Sequence, residues 1–332
     1  MLFSILINNY NYGPYLAQAI DSALTQSWPS VQVIVVDDGS SDDSVNIIES
    51  YGSDIVAILK ENGGQASCVN AGAKACTGEF LIVLDSDDYL LPDAVRLHAE
   101  RLQDSAVVSS SGYLSVVDAD GNPLNQRVPN RQGQSGDYAA ATLEHGLDIY
   151  NTTFTSGFAW RKAFLDQVLP LPETEEIGVD GYLTAADRYF GRVEFIHEPV
   201  GYYRRHGDNK GPMTFQFTEQ YLQHRVSGKA ARIRYSIDWA RHQGYTVDEE
   251  KISQVREWRN VLMRHALSLV KNEKSSVGIA ELANAPFRRA ANNLPRSLAL
   301  SISLMAVKLL PRKLALDYSE YLLYRARRVR YR

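Results

Sequence analysis

Short apolar runs alternate with amphipathic helical patterns through the first hundred residues of the chain. Each run is rich in β-branched residues and apolar at consecutive positions, which is typical of strands covered on both faces, as in a parallel sheet. The runs are Leu2–Ile7, Val31–Val36, Ile55–Leu59 and Phe80–Leu84. We therefore expect four buried, mainly parallel strands.

Between these runs, apolar residues recur at helical spacing, with polar residues on the opposite face. The helical patterns are Pro14–Gln26, Ser41–Tyr51, Gln65–Ala75 and Asp93–Leu102. Alternation of strand and helix predicts an α/β fold, a Rossmann-like and mainly parallel sheet flanked by helices.

The alternation ends after Ser105. Tyr113–Asp118 and a short return strand, joined by the turn residues 120–123, predict a hairpin. Residues 125–138 are polar and are expected to form a loop, interpreted as a mobile lid. Beyond Phe215 the pattern becomes helical, which predicts a helical C-terminal region over 216–332.

Composition and charge narrow the class of protein. The chain of 332 residues is 45% hydrophobic and 22% charged, as in proteins that form a core. Its net charge of −4 argues against binding to nucleic acid. Cys68 and Cys76 are the only cysteines, so neither a disulfide framework nor a Cys/His metal site is expected. The first residues do not resemble a signal peptide, and no run reaches the ~18 apolar residues of a spanning helix, so the expected location is the cytoplasm.

Acidic clusters follow two of the predicted strands. Asp37-Asp38-Gly39-Ser40 follows Val36, and Asp85-Ser86-Asp87-Asp88 follows Leu84. Carboxylates beyond the carboxyl ends of parallel strands suit a divalent metal or the hydroxyls of a ribose, although Asp and Ser also cap helices.

Other nucleotide and metal motifs do not fit these clusters. The spacing after Asp85 lacks the glycine and the glutamate of an EF-hand, and neither a dinucleotide fingerprint nor a P-loop is present. A phosphohydrolase with Asp85 as the nucleophile remains an alternative.

Several motifs together resemble glycosyltransferase family 2, whose members have the GT-A fold. They occur in the order of that family over about residues 1–215, with halves of about 1–105 for the nucleotide sugar and 106–215 for the acceptor. The motifs are Leu6-Ile7-Asn8-Asn9-Tyr10-Asn11, Val35-Val36-Asp37-Asp38-Gly39-Ser40, Asn62-Gly63-Gly64-Gln65-Ala66-Ser67, Leu84-Asp85-Ser86-Asp87-Asp88, Thr155-Ser156-Gly157, Val179-Asp180-Gly181 and Tyr203-Arg204-Arg205-His206-Gly207-Asp208-Asn209. Two positions depart from the family: Asn9 stands where Thr or Ser is frequent, and Val179 where an acidic residue precedes the base.

The resemblance implies an inverting glycosyltransferase that uses a nucleotide-diphosphate sugar and Mg²⁺ or Mn²⁺. It implies that Asp180 is the general base, with a helix cap as the alternative, and that Asp87 and His206 hold the metal. The residues implied to bind the nucleotide sugar are Asn9, Tyr10, Asp38, Gly63, Gln65, Asp85, Ser86, Arg204 and Arg205. Asp88 is interpreted as a supporting residue. A relative that binds nucleotide sugars without turnover is a further alternative.

The C-terminal end is basic. Residues 286–332 carry a net charge of +9, so the remainder carries −13. Residues 297–332 combine an apolar stretch with Arg clusters, which favours peripheral contact with an anionic membrane. The expected place is the inner face of the plasma membrane, and the expected acceptor is a glycan or a lipid-linked molecule. The alternative is a helix that packs on the catalytic domain or on a second copy in a homodimer.

Overall fold

The computed structural model describes residues 1–271, apart from 148, 150, 175–176, 208, 210–217 and 250–257, and then 277, 307–308, 310–311, 313–316, 318–319 and 322. Eighteen helices and strands are assigned within these residues. In chain order they are β1 (Phe3–Asn9), α1 (Gly13–Leu24), β2 (Val31–Asp37), α2 (Ser44–Ser50), β3 (Val56–Leu59), α3 (Gly64–Ala73), β4 (Phe80–Asp85), β5 (Tyr89–Leu90), α4 (Ala94–Leu102), β6 (Val107–Val117), β7 (Pro123–Val128), α5 (Ala139–His145), β8 (Phe158–Arg161), α6 (Lys162–Val168), α7 (Val179–Ala186), β9 (Arg192–Arg204), α8 (Glu219–His242) and α9 (Trp258–Val270).

One mixed sheet organises the fold. Its strand order is β3-β2-β1-β4-β8-β6-β9-β5, and β7 pairs with β6. β3, β2, β1 and β4 are parallel, whereas β8 is antiparallel to both of its neighbours. The predicted α/β alternation and the hairpin of β6 and β7 are confirmed.

Both faces of the parallel half are covered. Along β1, Ile5 and Ile7 belong to the core cluster that contains residues of α1 and α4, whereas Leu6 belongs to the cluster that contains residues of α3, α6 and α7. β4 alternates in the same way, with Ile82 on one side and Val83 on the other. Because successive side chains of a strand point to opposite faces, a continuous apolar run is needed here to fill both cores.

Two expectations are wrong, the burial of β3 on both faces and a loop at residues 125–128. β3 is the edge strand, and Val56 and Leu59 are 39% and 50% exposed, so this run is not covered on both faces. Residues 125–128 belong to β7 rather than to a loop. Within the remainder of the expected lid, Gly136 and Val193 of β9 exchange backbone hydrogen bonds of 2.9 and 3.0 Å, and the mobility of this segment stays a prediction.

The strand register brings polar residues together at one edge of the sheet. Asn9 at the end of β1 pairs with Asp37 of β2, and Asn8 pairs with Asp85 of β4. The carboxyl ends of three neighbouring parallel strands therefore carry both acidic clusters, which is where open α/β sheets bind their ligands.

The C-terminal helices pack in two places. Tyr235 of α8 contacts Tyr182 of α7 edge to face, with ring centroids 5.0 Å apart. Leu262 of α9 forms a small core with Val277, Val307, Ala315 and Leu322. No helix among the described residues is both long enough and apolar enough to span a bilayer.

Most of the expected membrane-contacting segment, 297–332, lies outside the described residues. Of the part that is described, Val307 and Ala315 are fully buried. These two side chains pack within the C-terminal region, and membrane contact by 297–332 stays a prediction.

Candidate active site

The acidic loop after β4 forms the centre of the site. Asp87 is 8% exposed, and its Oδ2 lies 3.1 Å from His206 Nε2 and accepts a hydrogen bond of 3.1 Å from Asn209 Nδ2. Asp88 is buried and accepts hydrogen bonds from the Ser156 hydroxyl (2.6 Å) and the Arg204 backbone N–H (3.0 Å). Asp88 thus fastens the end of β9 to the loop, which agrees with the supporting role expected for it.

Burial raises the pKa of all three carboxyls of this loop, and neighbouring carboxyl charges raise it further at Asp85 and Asp88. Burial, followed by the neighbouring charge of Asp87, raises the pKa of Asp85 to about 7. Burial and the charges of Asp87 and Asp85 raise the pKa of Asp88 well above its ordinary value. Burial also raises the pKa of Asp87, although its hydrogen bond with His206 opposes this. Concentrated negative charge in a poorly solvated place favours a bound cation.

The donor groups at Asp87 and His206 fit a divalent metal of the type expected. Among the described residues no group of three or more His, Cys, Asp and Glu side chains could by itself hold a metal ion. Mg²⁺ is frequently bound through only one or two protein carboxylates, with substrate phosphates and water completing the shell. A carboxylate and an imidazole already in contact suit such a shared site.

Aromatic rings from α1 and the loop before it hold His206. The centroids of the Tyr12 and Tyr15 rings lie 5.4 and 5.0 Å from that of the imidazole. Tyr15 also carries the Arg204 guanidinium 4.8 Å above its centroid. Hydrophobic and cation–π contacts therefore fix the imidazole beside Asp87.

Arg204 is committed to the framework of the site. Its guanidinium donates to the carbonyls of Asp87 (3.0 Å) and Ala119 (2.9 Å) and to Gln18 Oε1 (2.5 Å), and the residue is 3% exposed. These contacts favour a structural role over the expected contact with the diphosphate. Arg205 is partly exposed, with Nη1 3.5 Å from Gln126 Oε1, and is the better placed of the two for an anion.

The loops expected to hold the nucleoside meet at Asp38. Its carboxylate accepts hydrogen bonds from the backbone N–H groups of Gly63 (2.9 Å) and Gly64 (2.7 Å) and from Lys60 Nζ (2.5 Å). Gly64 has a φ of +83°, and a Cβ at Gly63 would lie 2.6 Å from Ser67 Oγ, so both positions require glycine. Tyr10 is 42% exposed at the rim, which leaves its ring available for stacking.

Four of the residues expected to contact the donor are buried, namely Asp38 and Arg204, described above, and also Asn9 and Ser86. Asn9 is 1% exposed and donates to Asp37 Oδ1 (2.8 Å) and Ser40 Oγ (3.2 Å). Ser86 is also 1% exposed, and its backbone N–H donates to the Asn8 carbonyl (3.2 Å). The Asn9 side chain thus holds the acidic loop after β2, and neither Asn9 nor Ser86 is exposed for contact with a donor.

Asp180 lies in the first turn of α7, which begins at Val179. Gly178 occupies the N-cap position, and Asp180 is the second residue of the helix. Asp180 Oδ1 accepts a 2.8 Å hydrogen bond from the Gly181 N–H. A Cβ at Gly178 would lie 3.0 Å from this oxygen, so the glycine leaves room for the carboxylate.

Opposing influences act on the Asp180 carboxyl. Burial raises its pKa, whereas Arg232, the Gly181 N–H and Arg225 lower it. Arg232 of α8 donates to the Gly181 carbonyl (3.2 Å) and to Thr184 Oγ1 (3.0 Å), and so packs α8 against α7. The carboxylate therefore has a cationic neighbourhood supplied by the C-terminal region.

Gln65 lies between the two carboxylate groups. Its Nε2 donates to Asp85 Oδ1 (2.7 Å), and its Oε1 accepts from the Val179 N–H at 3.4 Å. Asn8 Nδ2 donates to the same Asp85 oxygen at 2.8 Å. One side chain thus joins the acidic loop to the helix of Asp180.

Comparison with known proteins identifies the family. The family model for glycosyl transferase family 2 matches residues 4–166. An uncharacterized glycosyltransferase of Nostoc sp. is 32% identical over 250 residues, which cover 74% of this chain and 77% of that protein. The chain belongs to glycosyl transferase family 2. It is an enzyme, a glycosyltransferase, and the phosphohydrolase and non-catalytic alternatives lose their support.

Solved structures confirm the GT-A fold of this family 2 glycosyltransferase. S. aureus TarS 1–349 in complex with UDP-GlcNAc has a TM-score of 0.56 and 17% identity, and the match covers 93% of this chain and 91% of that one. The mannosyltransferase PcManGT from Pyrobaculum calidifontis, in complex with GDP-Man and Mn²⁺, has a TM-score of 0.53 and 18% identity, over 97% of this chain and 84% of that one.

Sequence reasoning missed several contacts of the site. Asn209 and Ser156 stood within quoted motifs, yet their bonds to Asp87 and Asp88 were not foreseen. Tyr12 and Tyr15 follow the first motif and are three residues apart at the start of a predicted helix. This spacing places both side chains on the same face of the helix and could have indicated that they act together.

Proposed function

We propose that this glycosyltransferase transfers a sugar, with inversion at the anomeric carbon, from a nucleotide-diphosphate donor to a hydroxyl of a glycan or lipid-linked acceptor. The observation that carries the proposal is the single hydrogen-bonded link from Asp85 through Gln65 to the first turn of α7. This link holds the acidic loop after β4, which suits a metal ion, and the separate carboxylate of Asp180 at the same edge of the sheet. Displacement of a diphosphate by a deprotonated hydroxyl requires both groups, one for the leaving group and one for the hydroxyl proton.

The donor half of the proposal assigns Asp87 and His206 to Mg²⁺ or Mn²⁺. The metal, when bound, stabilises the negative charge that develops on the departing nucleoside diphosphate. Arg205 at the rim adds a further cation, and Tyr10 stacks on the base. The ligands of TarS (UDP-GlcNAc) and PcManGT (GDP-Man and Mn²⁺) support a donor and a metal of these classes.

The acceptor half assigns the proton transfer to Asp180. As the acceptor oxygen forms its bond to the anomeric carbon, its proton passes to the Asp180 carboxylate and the bond from that carbon to the diphosphate oxygen breaks. Burial raises the pKa of Asp180 overall, whereas Arg232 and Arg225 limit that rise and so favour the ionised form that a base needs. Attack opposite to the leaving group gives inversion.

We assign the catalytic unit to 1–215, with nucleotide-sugar and acceptor halves of about 1–105 and 106–215, and the helical region to 216–332. The +9 charge of 286–332 supports peripheral contact with an anionic membrane that presents the acceptor, on the inner face of the plasma membrane. The small core of Leu262, Val307 and Ala315 supports the packing alternative for part of this region.

Replacement of the base tests the proposal. Asp180→Asn is expected to lower acceptor-dependent release of nucleoside diphosphate by about a hundredfold, the scale of a lost general base, with donor affinity nearly unchanged. Asp187→Asn is the matched control, because Asp187 is a buried carboxyl with a raised pKa just after α7, bonded to Ser109 (2.7 Å). Near-parental release by Asp180→Asn, or an equal loss in the control, contradicts the assignment.

A further inference from the structure

The N-cap residue of α7 supplies no side-chain hydrogen bond, and Asp180 satisfies only the Gly181 N–H in the first turn. The N-cap position is Gly178, which has no side chain, and no side-chain hydrogen bond is made from it. The first N–H groups of a helix have no partner within the helix and need one from elsewhere. Here the Val179 N–H is directed at Gln65 Oε1, 114 residues earlier in the chain and on another helix.

The other end of the same side chain acts on the acidic loop. Gln65 Nε2 lies 2.7 Å from Asp85 Oδ1, and this hydrogen bond favours the ionised form of Asp85 against the burial that raises its pKa. A primary amide supplies a donor and an acceptor on one rigid plane, so both contacts set the orientation of both partners. Glu would lack the donor, and Leu would lack both groups.

The position of α3 makes the link stiff. α3 begins at Gly64, where Asp38 binds the N–H groups of Gly63 and Gly64, so Gln65 projects from a helix start that is itself fixed. At the other side, α7 is held by Arg232 through the Gly181 carbonyl. A displacement of the Asp85 carboxylate is therefore transmitted to the first turn of α7 through few freely rotating bonds.

We infer that Gln65 is a positioning residue that couples occupation of the donor site, through Asp85, to the placement of the first turn of α7 and of Asp180 within it. This inference rests on the proposed function, because the coupling affects catalysis only if Asp180 is the general base. It gives Gln65 a different task from the donor contact implied by the family resemblance.

Hydrogen exchange of the amides at 177–182 tests the link without any acceptor. In the ligand-free protein, Gln65→Ala is expected to speed exchange in this segment by about fivefold, the size expected for loss of one ordinary hydrogen bond, with no change in the amides of β1 and β4. Gln65→Asn, whose amide is one methylene too short to reach both partners, serves as a second variant and is expected to behave alike.

Addition of UDP or GDP with Mn²⁺ tests the coupling. In the parent the bound nucleotide is expected to slow exchange at 177–182 further, whereas in Gln65→Ala the nucleotide still binds, with affinity within about threefold of the parent, but no longer protects this segment. A merely structural role would not remove the ligand-dependent part of the protection.

Gln26→Ala is the matched control. Gln26 also bridges elements, donating to the Ser22 and Leu91 carbonyls (2.8 and 2.9 Å) and accepting from the Val95 N–H (3.0 Å), but it contacts neither acidic loop nor α7. It is expected to lower stability without altering exchange at 177–182.

Unchanged exchange at 177–182 in both Gln65 variants overturns the inference, and so does ligand-dependent protection that survives in Gln65→Ala. A large loss of nucleotide affinity in Gln65→Ala would also overturn it, and would show instead that Gln65 contacts the donor directly, as the family resemblance implies. If neither UDP nor GDP with Mn²⁺ stabilises the parent protein, the proposed use of a UDP or GDP sugar is contradicted. The exchange rates of the ligand-free proteins still decide whether Gln65 holds the first turn of α7.

Discussion

Asp87 and His206 are 119 residues apart in the chain, yet Asp87 Oδ2 lies 3.1 Å from His206 Nε2. The loop after β4 supplies the first and the segment after β9 the second. Asp88 accepts the backbone N–H of Arg204 and so fixes the end of β9 against the loop. The site therefore depends on contacts between the loop after β4 and the end of β9, which lie far apart in the chain.

Asp87→Ala is expected to abolish the part of nucleotide binding that depends on Mn²⁺ while the fold is retained. Removal of one of three mutually repelling carboxyls is expected to leave the metal-free Tm unchanged or raised. Calorimetric titration with UDP and GDP, with and without Mn²⁺, measures the effect. Asp93→Ala, at an exposed carboxylate beside α4, is the control; an Asp87→Ala protein with parental metal dependence contradicts the metal assignment.

The metal-free protein is expected to lose stability as pH rises. The pKa of Asp85 is raised to about 7 in the folded protein, so this carboxyl holds its proton more tightly than in the unfolded chain. Its stabilising contribution is complete below its ordinary pKa near 4 and is lost as pH rises through about 7. Asp85→Asn removes this dependence, so its stability relative to the parent is expected to increase between about pH 4 and about pH 7 in thermal melts with chelator. Parallel curves for the two proteins would refute it.

Tyr15→Leu is expected to weaken Mn²⁺-supported nucleotide binding by about three- to tenfold, the range for loss of one aromatic contact. The ring lies 5.0 Å from the His206 ring and also carries Arg204 at 4.8 Å. Tyr15→Phe keeps the ring and is expected to bind like the parent. Equal affinities for the Leu and Phe variants would show that the ring does not hold His206.

Arg225→Ala is expected to shift the acid limb of turnover to higher pH. Arg225 lowers the pKa of Asp180, so its removal raises that pKa and reduces the ionised base at a given low pH. Rates of nucleoside diphosphate release across pH measure the shift, which should be largest on the acid side and absent on the alkaline side. Arg234→Ala, at an exposed position on the same helix, is the control; identical profiles for parent and Arg225→Ala contradict the coupling.

Deletion of 297–332 is expected to abolish salt-sensitive flotation with anionic vesicles, since each Lys or Arg near such a surface contributes about 1 kcal/mol. A full-length variant in which Arg325, Arg327, Arg328 and Arg330 are replaced by Gln keeps the apolar residues and isolates the charge. Absence of flotation by the parent at low salt eliminates membrane contact. A fall in Tm on deletion without any flotation establishes the packing alternative.

The predictable part of the fold was local. The continuous apolar run of β1 predicts a strand covered on both faces, and the residues of both cores confirm it. The same reasoning failed for β3, because a short apolar run does not reveal whether a second neighbour is present, and here β3 is the edge. The hairpin of β6 and β7 could be predicted because its turn residues, 120–123, lie in the chain directly between the two strands.

The site divides along the same line. The amino-acid sequence by itself determined the α/β alternation, the acidic loops after β2 and β4, and the family, because these depend on spacing within short segments. Only the tertiary structure decided that Arg204 is buried in the framework, that His206 meets Asp87, and that Gln65 joins Asp85 to α7. These contacts depend on which strands become neighbours in the sheet and on how the helices pack against it. Strand order and helix packing are determined by interactions between residues far apart in the chain, which a local sequence pattern does not show.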